Sequence, residues 1–136
     1  MELLGLQNKR IDRKTNISTF DQMIKGGDVN KHLKVFKALG DRTRLRIVMM
    51  LQIRPMYVCE IRSIIGTSMS TISNHLKIMT DAEIVISHKE ERYVIYELNK
   101  SDSLIAKILN IINEISDEEI EKDREKTLKI DGRTSC

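Results

Sequence analysis

A chain of 136 residues with 40% hydrophobic content has room for one domain and a modest core, and its two cysteines exclude a disulfide framework as the source of stability. Aromatics make up 4% with no Trp, so Ile, Leu, Met and Val fill the interior, which favours packed helices over a β-sandwich. The net charge of +3 hides an asymmetry: residues 29–100 carry 12 Lys/Arg against 7 Asp/Glu and residues 101–136 carry 6 against 9, so a basic middle suited to a polyanion precedes an acidic segment expected to stay away from it.

The opening MELLGLQNKRIDRK has too short an apolar part for a signal peptide, and no later run reaches membrane-spanning length. The expectation is a cytoplasmic chain with reduced cysteines and no membrane partner. Residues 1–17 read as a flexible arm or a loosely docked helix, residues 18–128 as the folded domain, and residues 129–136 as a frayed tail. From Ser18 a capping residue precedes Phe20, Met23 and Ile24, and Gly26-Gly27 ends that turn of helix. A helix from about Val29 puts Leu33, Phe36 and Leu39 on one face, and Gly40-Asp41 supplies a stop followed at once by an N-cap. The next helix, Asp41 to about Ile53, lines up Leu45, Val48, Met49 and Gln52, with Ile47 and Leu51 widening the apolar arc, until Pro55 forbids continuation.

Tyr57 to Ile65 forms a short helix burying Ile61, Ile64 and Ile65; Gly66 ends it, and Thr67 or Ser68 caps the helix that follows. Along Ser68 to Ala82, Ile72, Leu76 and Met79 recur at helical spacing and face inward, while the opposite face collects Ser70, Thr71, Asn74 and Lys77 with Ser73 and His75 at its flanks. Ile84 to His88 and Tyr93 to Leu98 are rich in strand formers, and Lys89-Glu90-Glu91-Arg92 between them is a hairpin tip. Short helix, glycine turn, polar-faced helix and charged hairpin in that order make a winged helix-turn-helix, mostly α with a small β-hairpin wing.

A major groove admits one helix whose side chains are short enough to approach base edges and polar enough to replace the water they displace. Ser68 to Lys77 meets that demand: Ser70, Thr71 and Asn74 for bases, Met69 for a thymine methyl, and Ser73, His75 and Lys77 for phosphates. Arg92, and secondarily Lys89, would reach the flanking backbone from the wing. A plain solvated helix face explains the polar residues when taken alone, and the fixed order of elements decides against it.

The last large element begins near Ser101 or Asp102 and carries two stripes, one of Leu104, Ile108, Ile111 and Ile115 and the other of Ile105, Leu109 and Ile112. One stripe serves the domain's own core; the second implies a partner chain, hence a homodimer joined through its terminal helices. Because the sequence does not say which stripe is which, all seven residues are candidates for the dimer interface. Ser116-Asp117-Glu118-Glu119 is a capping-box pattern, so either the helix breaks there and restarts or the pattern is incidental within a longer helix. The carboxylates Glu114, Asp117, Glu118, Glu119 and Glu121 read as a solvated face in preference to a cation site. No Gly-rich phosphate loop, activated nucleophile or paired carboxylates appear, so an enzyme is not expected. The rival from another class is a winged-helix module that docks on proteins and does not read DNA sequence.

Residues 35–98 resemble the ArsR/SmtB family of small dimeric winged-helix repressors, through ALGDRTRLRIVMML (38–51), YVCEI (57–61), STISNHLKIM (70–79) and RYVIYEL (92–98). The resemblance implies a homodimer on a roughly palindromic double-stranded operator, released when a metal, metalloid or other small effector binds. It also shows departures. Met69 and Asn74 stand where the family commonly has Gln and Arg, and Glu91 stands where a Gly usually precedes the wing arginine. Metalloid-sensing members carry a Cys-x-Cys pair that holds a thiophilic ion between thiolates. Tyr57-Val58-Cys59 keeps only the second sulfur, and Cys136 is the one other cysteine that could join it. A metalloid or thiol-reactive effector at Cys59 is therefore an open expectation, whereas a zinc-type site is disfavoured because His32, His75 and His88 all lie outside the terminal helix.

Overall fold

The computed structural model describes residues 28–130, so the expected helical turn after Ser18, the boundary after residue 17 and Cys136 lie outside the described residues. The chain divides between Leu33 and Lys34 into two compact units, and the second holds every element beyond the first turns of α1. In chain order the elements are α1 (Val29–Leu39), α2 (Arg42–Leu51), β1 (Met56–Tyr57), α3 (Val58–Ile65), α4 (Met69–Asp81), β2 (Val85–Glu90), β3 (Tyr93–Leu98), α5 (Ser103–Ile112) and α6 (Glu118–Lys129). Among the described residues no helix is long and apolar enough to cross a membrane.

In α1 the buried residues are Val35 and Ala38, whereas Leu33 and Phe36, expected to share one face, are exposed at 47% and 57%. Small side chains at i and i+3 let a helix approach its neighbours closely, so burial selects shape over bulk and turns the larger residues outward. Asp41 then caps α2, its carboxylate accepting the Arg44 N–H at 3.0 Å, and that hydrogen bond is the main reason its pKa lies below the ordinary value. Five consecutive residues of α2, Ile47 to Leu51, are buried, so its second half is surrounded on all sides and forms the centre of the core.

β1 is the element that the sequence does not announce. Two residues carry no periodicity, yet Met56 and Tyr57 pair with Tyr96 and Ile95 and convert the wing into a three-stranded antiparallel sheet of order β1-β3-β2. Tyr57 is also the N-cap of α3, where the Glu60 carboxylate accepts its N–H at 2.9 Å. Gly66, at φ 85, closes α3 in the left-handed conformation that glycine adopts without a Cβ penalty, and Ser68 caps α4. Between β2 and β3 the ladder runs from Val85↔Leu98 to Glu90↔Tyr93, so Lys89 and Glu90, expected in the tip, are strand residues, and the turn itself is Glu91-Arg92.

The terminal segment breaks, one of the two outcomes open from its capping pattern. Asp102 caps α5 and Asp117 caps α6. The terminal element expected from about residue 101 is thus two helices, and α6 returns onto α2 and α3 of its own chain.

The two stripes of α5 have different fates. Three of the seven residues expected at the dimer interface are instead core residues of their own chain: Ile105 is buried at 1% exposure, Leu109 at 7% and Ile112 at 7%. Leu109 is corrected on its backbone as well, since its carbonyl accepts the side-chain amide of Gln52, the C-cap of α2, at 3.3 Å. A side chain already seated against its own core has no surface left to give a second chain, so Ile105, Leu109 and Ile112 are removed from the interface. Leu104 and Ile108 pack half-buried against the core, while Ile111 and Ile115 remain exposed at 70% and 41%.

Arginines from α2 and the turn after it hold α6 in place. Arg46 donates two hydrogen bonds to the buried Asp123 at 2.8 and 3.0 Å, and Arg42 reaches Asp117 at 2.5 Å and Glu119 at 2.8 Å. Arg54 pairs with the fully buried Glu60 at 2.7 Å and donates to the carbonyls of Thr127 and Ile130, each at 3.1 Å. The acidic segment is therefore packed on the basic middle instead of standing apart from it, and the Glu114–Glu121 carboxylates are largely spent on guanidinium and ammonium groups.

Removing one partner from the Arg46–Asp123 pair leaves a buried charge without compensation. Asp123→Ala is expected to cost about 3–5 kcal/mol in urea unfolding, with Arg46→Met plus Asp123→Leu recovering most of the loss. The pKa of Asp117 is lowered, first by the Ile120 N–H that it caps and then by Arg42, so its contribution is complete above the unfolded carboxylate pKa and fades as pH falls through the folded one. Hydrogen exchange should therefore show α6 amides losing protection first below roughly pH 4, and constant protection between about pH 6 and 8.

Candidate nucleic-acid interface

α4 is anchored by Ile72, Leu76 and Met79, none of which retains any solvent exposure. The opposite side is open: Ser68, Met69, Ser70, Thr71, Ser73, Asn74 and Lys77 are all exposed, and no carboxylate occurs between Ser68 and Thr80. At the helix start the Ser68 hydroxyl accepts the Thr71 N–H at 3.2 Å and lies 2.8 Å from the Thr71 hydroxyl and 3.1 Å from that of Ser70. These hydroxyls form a preorganised cluster at the end of a helix that projects N–H groups and positive dipole, where a phosphate or base edge would be met.

His75 departs from the expected phosphate role. Its side chain is only 16% exposed and is turned toward α2, with Nδ1 3.1 Å from an Arg44 guanidinium nitrogen and 4.0 Å from the Asp41 carboxylate. An arginine can only donate, so Nδ1 accepts and the ring proton sits on Nε2. Arg44 in turn donates to the Ala38 carbonyl at 2.7 Å. His75 thus ties the reading helix to the α1–α2 corner, with little of its side chain left to solvent. One residue beyond the polar arc at helical spacing is enough to turn a side chain from solvent to neighbour.

The helix ends in a motif that sets the wing's direction. Glu83 N–H bonds to Thr80 O and Ile84 N–H to Met79 O, with Glu83 at φ 60 in the position usually given to glycine. At the far end of β2, Glu91 also has φ 60, and Arg92 follows it at the exposed tip. The Arg92 guanidinium lies 5.4 Å from the centre of the Tyr93 ring and donates to the Tyr93 hydroxyl at 3.3 Å. Lys89 is exposed, though on β2 rather than at the tip.

Between wing and reading helix lies a cleft of about 460 Å³ lined by Tyr57, Tyr93 and Tyr96 together with Met69, Ser73 and Arg92. Sequence reasoning takes Tyr93 and Tyr96 as strand residues and begins a helix at Tyr57, so it does not bring the three together; Tyr57 joins the others only through β1. Cys59, the second residue of α3, is half-buried beside the same cleft, and its sulfur is disulfide-bonded where a reduced thiol was expected. Among the described residues no group of three or more His, Cys, Asp or Glu is placed to hold a metal ion.

Residues 41–87 match the family model for bacterial regulatory proteins of the arsR family. The transcriptional repressor SdpR of Bacillus subtilis is 35% identical over 81 residues, covering 58% of this chain and 90% of that protein. A homolog of the cadmium resistance regulatory protein CadC from Staphylococcus aureus is 39% identical over 67 residues, 48% of this chain, and is matched over only 55% of its own length. Among solved structures, a homodimeric winged helix-turn-helix DNA-binding domain from Mycobacterium bovis superposes with a TM-score of 0.59 at 22% identity, over 72% of this chain and 89% of that one, which supports the fold.

Replacing Glu91 by Gly should relieve a left-handed backbone and remove a carboxylate next to Arg92. The expected gain is up to about 1 kcal/mol in unfolding free energy, the relief of strain being partly offset by glycine's unfolded-state freedom. DNA affinity should rise with it, and Glu91→Gln should raise affinity without the stability gain; equal stability for the two variants would show that the left-handed turn costs nothing.

With its helix-turn-helix core matched and a nearly full-length relative at 35% identity, the chain belongs to the ArsR family of bacterial regulatory proteins and is a winged helix-turn-helix transcriptional regulator.

Proposed function

We propose that the protein is a homodimeric repressor whose two α4 helices enter major grooves of a roughly palindromic operator, with each wing lying on the flanking backbone. The observation that carries this reading is the exposed, carboxylate-free face of α4, from Ser68 to Lys77, opposite a wholly buried apolar stripe. In this reading Ser70, Thr71 and Asn74 meet base edges, Met69 meets a thymine methyl, and Ser68, Ser73, Lys77, Lys89 and Arg92 meet phosphates. His75 acts only by positioning the helix. SdpR carries the name of a transcriptional repressor, which supports repression over activation.

Pairing of two chains is supported by Ile111 and Ile115, exposed on and just after α5 beside the half-buried Leu104 and Ile108. These four form the proposed interface, and the buried Ile105, Leu109 and Ile112 support it only from within the core. The M. bovis domain is homodimeric. Release from the operator is assigned to a small effector. Cys59 is a candidate for a metalloid or thiol-reactive species, which needs its sulfur as a thiolate and hence the disulfide reduced first. A zinc-type site is not part of the proposal.

Fluorescence anisotropy against a selected operator and against mixed-sequence DNA, at several salt concentrations, tests the reading. Asn74→Ala should lose about 1–3 kcal/mol on the operator and little on mixed DNA. Lys77→Ala should weaken both and lower the salt slope by about 1. A docking module for proteins would show no steep salt dependence, and that outcome would reject the repressor. Ile111→Lys should shift the chain to monomer in sedimentation and abolish preference for two-half-site DNA.

A further inference from the structure

The cleft between wing and reading helix gathers all three tyrosines of the chain, which has only two other aromatic residues, at one concave surface of about 460 Å³. This volume is in the usual range for a small-molecule site. Its described walls are mostly apolar or aromatic: Tyr57 and Tyr93 meet edge to face with ring centres 5.7 Å apart, Tyr96 and Val94 continue the sheet wall, Met69 and Ser73 face them from α4, and the disulfide-bonded Cys59 borders the cleft from α3. Among the described residues Arg92 is the one formally charged residue in the lining. Its guanidinium lies at the mouth, over Tyr93, where it could pair with a carboxylate in bidentate fashion. Glu90 sits on the rim, with its carboxylate held by the Tyr57 hydroxyl at 2.8 Å, so that hydroxyl donates outward and leaves the ring to the cleft.

We propose that this cleft is an effector site for a small planar aromatic carboxylate, whose ring packs among Tyr57, Tyr93 and Tyr96 and whose carboxylate pairs with Arg92. The consequence follows from which elements form the walls. Met69 and Ser73 belong to the reading helix and Arg92 to the wing, so a bound ligand occupies side chains that the repressor reading gives to DNA and separates the two elements that must dock together. Ligand and DNA are then mutually exclusive or strongly opposed, and linkage makes the opposition reciprocal. Only this last step rests on the repressor reading; the site itself does not.

The test begins without DNA. Calorimetric titration of the full chain with benzoate, 1-naphthoate and indole-3-acetate, each beside its neutral amide, should show at least one carboxylate binding with Kd below about 1 mM. Arg92→Gln, at an exposed tip, should weaken that carboxylate about tenfold or more and its neutral amide much less, since the charge-assisted pair is lost for the carboxylate alone while the loss of the contact with Tyr93 affects both ligands alike. Val94→Phe, checked for folding by thermal melting, should abolish binding by filling the cleft. No carboxylate binding below that limit, or binding that ignores both variants, would overturn the site. With operator DNA, saturating ligand should lower affinity about tenfold or more, and unchanged DNA affinity with the ligand bound would overturn its role as effector. Should the chain bind no DNA at all, the repressor reading fails while the calorimetric result stands by itself.

Discussion

The reading surface depends on burial of the opposite side of its helix. Ile72, Leu76 and Met79 have no exposed area, and each such side chain contributes about 1.5–3 kcal/mol by leaving water. That stripe fixes the rotation of α4 about its own axis. Rotation is what separates Asn74, which faces out, from His75, which is held against α2 by Arg44 and Asp41. A winged helix presents a polar face only as well as its apolar face is seated. Helices α2 and α3 and strand β2 together supply that seat.

Charge in this molecule works inward as well as outward. The excess of cations over residues 29–100 suggests a surface for a polyanion, yet Arg42, Arg46 and Arg54 are tied to Asp117, Glu119, Asp123 and Glu60. Those arginines serve to fold the acidic end of the chain back on the domain. The cations left to the reading side are few, chiefly Lys77, Lys89 and Arg92, which places more of the recognition on hydroxyls and amides than on bulk electrostatics. Counting charge along a sequence gives the sign of a region; pairing decides how much of it faces solvent.

What was legible in the sequence was what has a period or a stop signal. The 3.6-residue recurrence of Ile72, Leu76 and Met79, the Gly66 turn and the run of strand formers in β3 each specify an element locally, and the structure has them. β1 was illegible because two residues contain no pattern, and its partner strand lies about forty positions away. In α1 the spacing puts Leu33, Phe36 and Leu39 on one face without saying which side is buried, and close packing selects Val35 and Ala38, with Leu39 partly buried against the core. In α5 the period showed two apolar stripes without saying which one faces home; Leu109 and its stripe neighbours Ile105 and Ile112 turn inward, and only the break after Asn113 and the fold around it decide that. Glu60 and Asp123 are buried carboxylates that no propensity signals, since their burial is compensated by arginines elsewhere in the chain. The tyrosine-lined cleft was hidden for a similar reason: it needs β1 to bring Tyr57 beside Tyr93.

The wing's placement shows where stability has been spent. β2 is bracketed by two glutamates in the left-handed region, Glu83 at the helix-to-strand junction and Glu91 at the hairpin tip. For a residue with a Cβ each such conformation costs roughly 1–2 kcal/mol, and a glycine would avoid it. The junction bonds Glu83 N–H to Thr80 O and Ile84 N–H to Met79 O nonetheless hold Glu83 there, so the direction in which β2 leaves α4 is set by the backbone of the reading helix itself. Helix and wing are thus coupled covalently at one end and face each other across the cleft at the other. The proposed ligand would therefore sit between the two elements whose mutual angle the Glu83 junction sets.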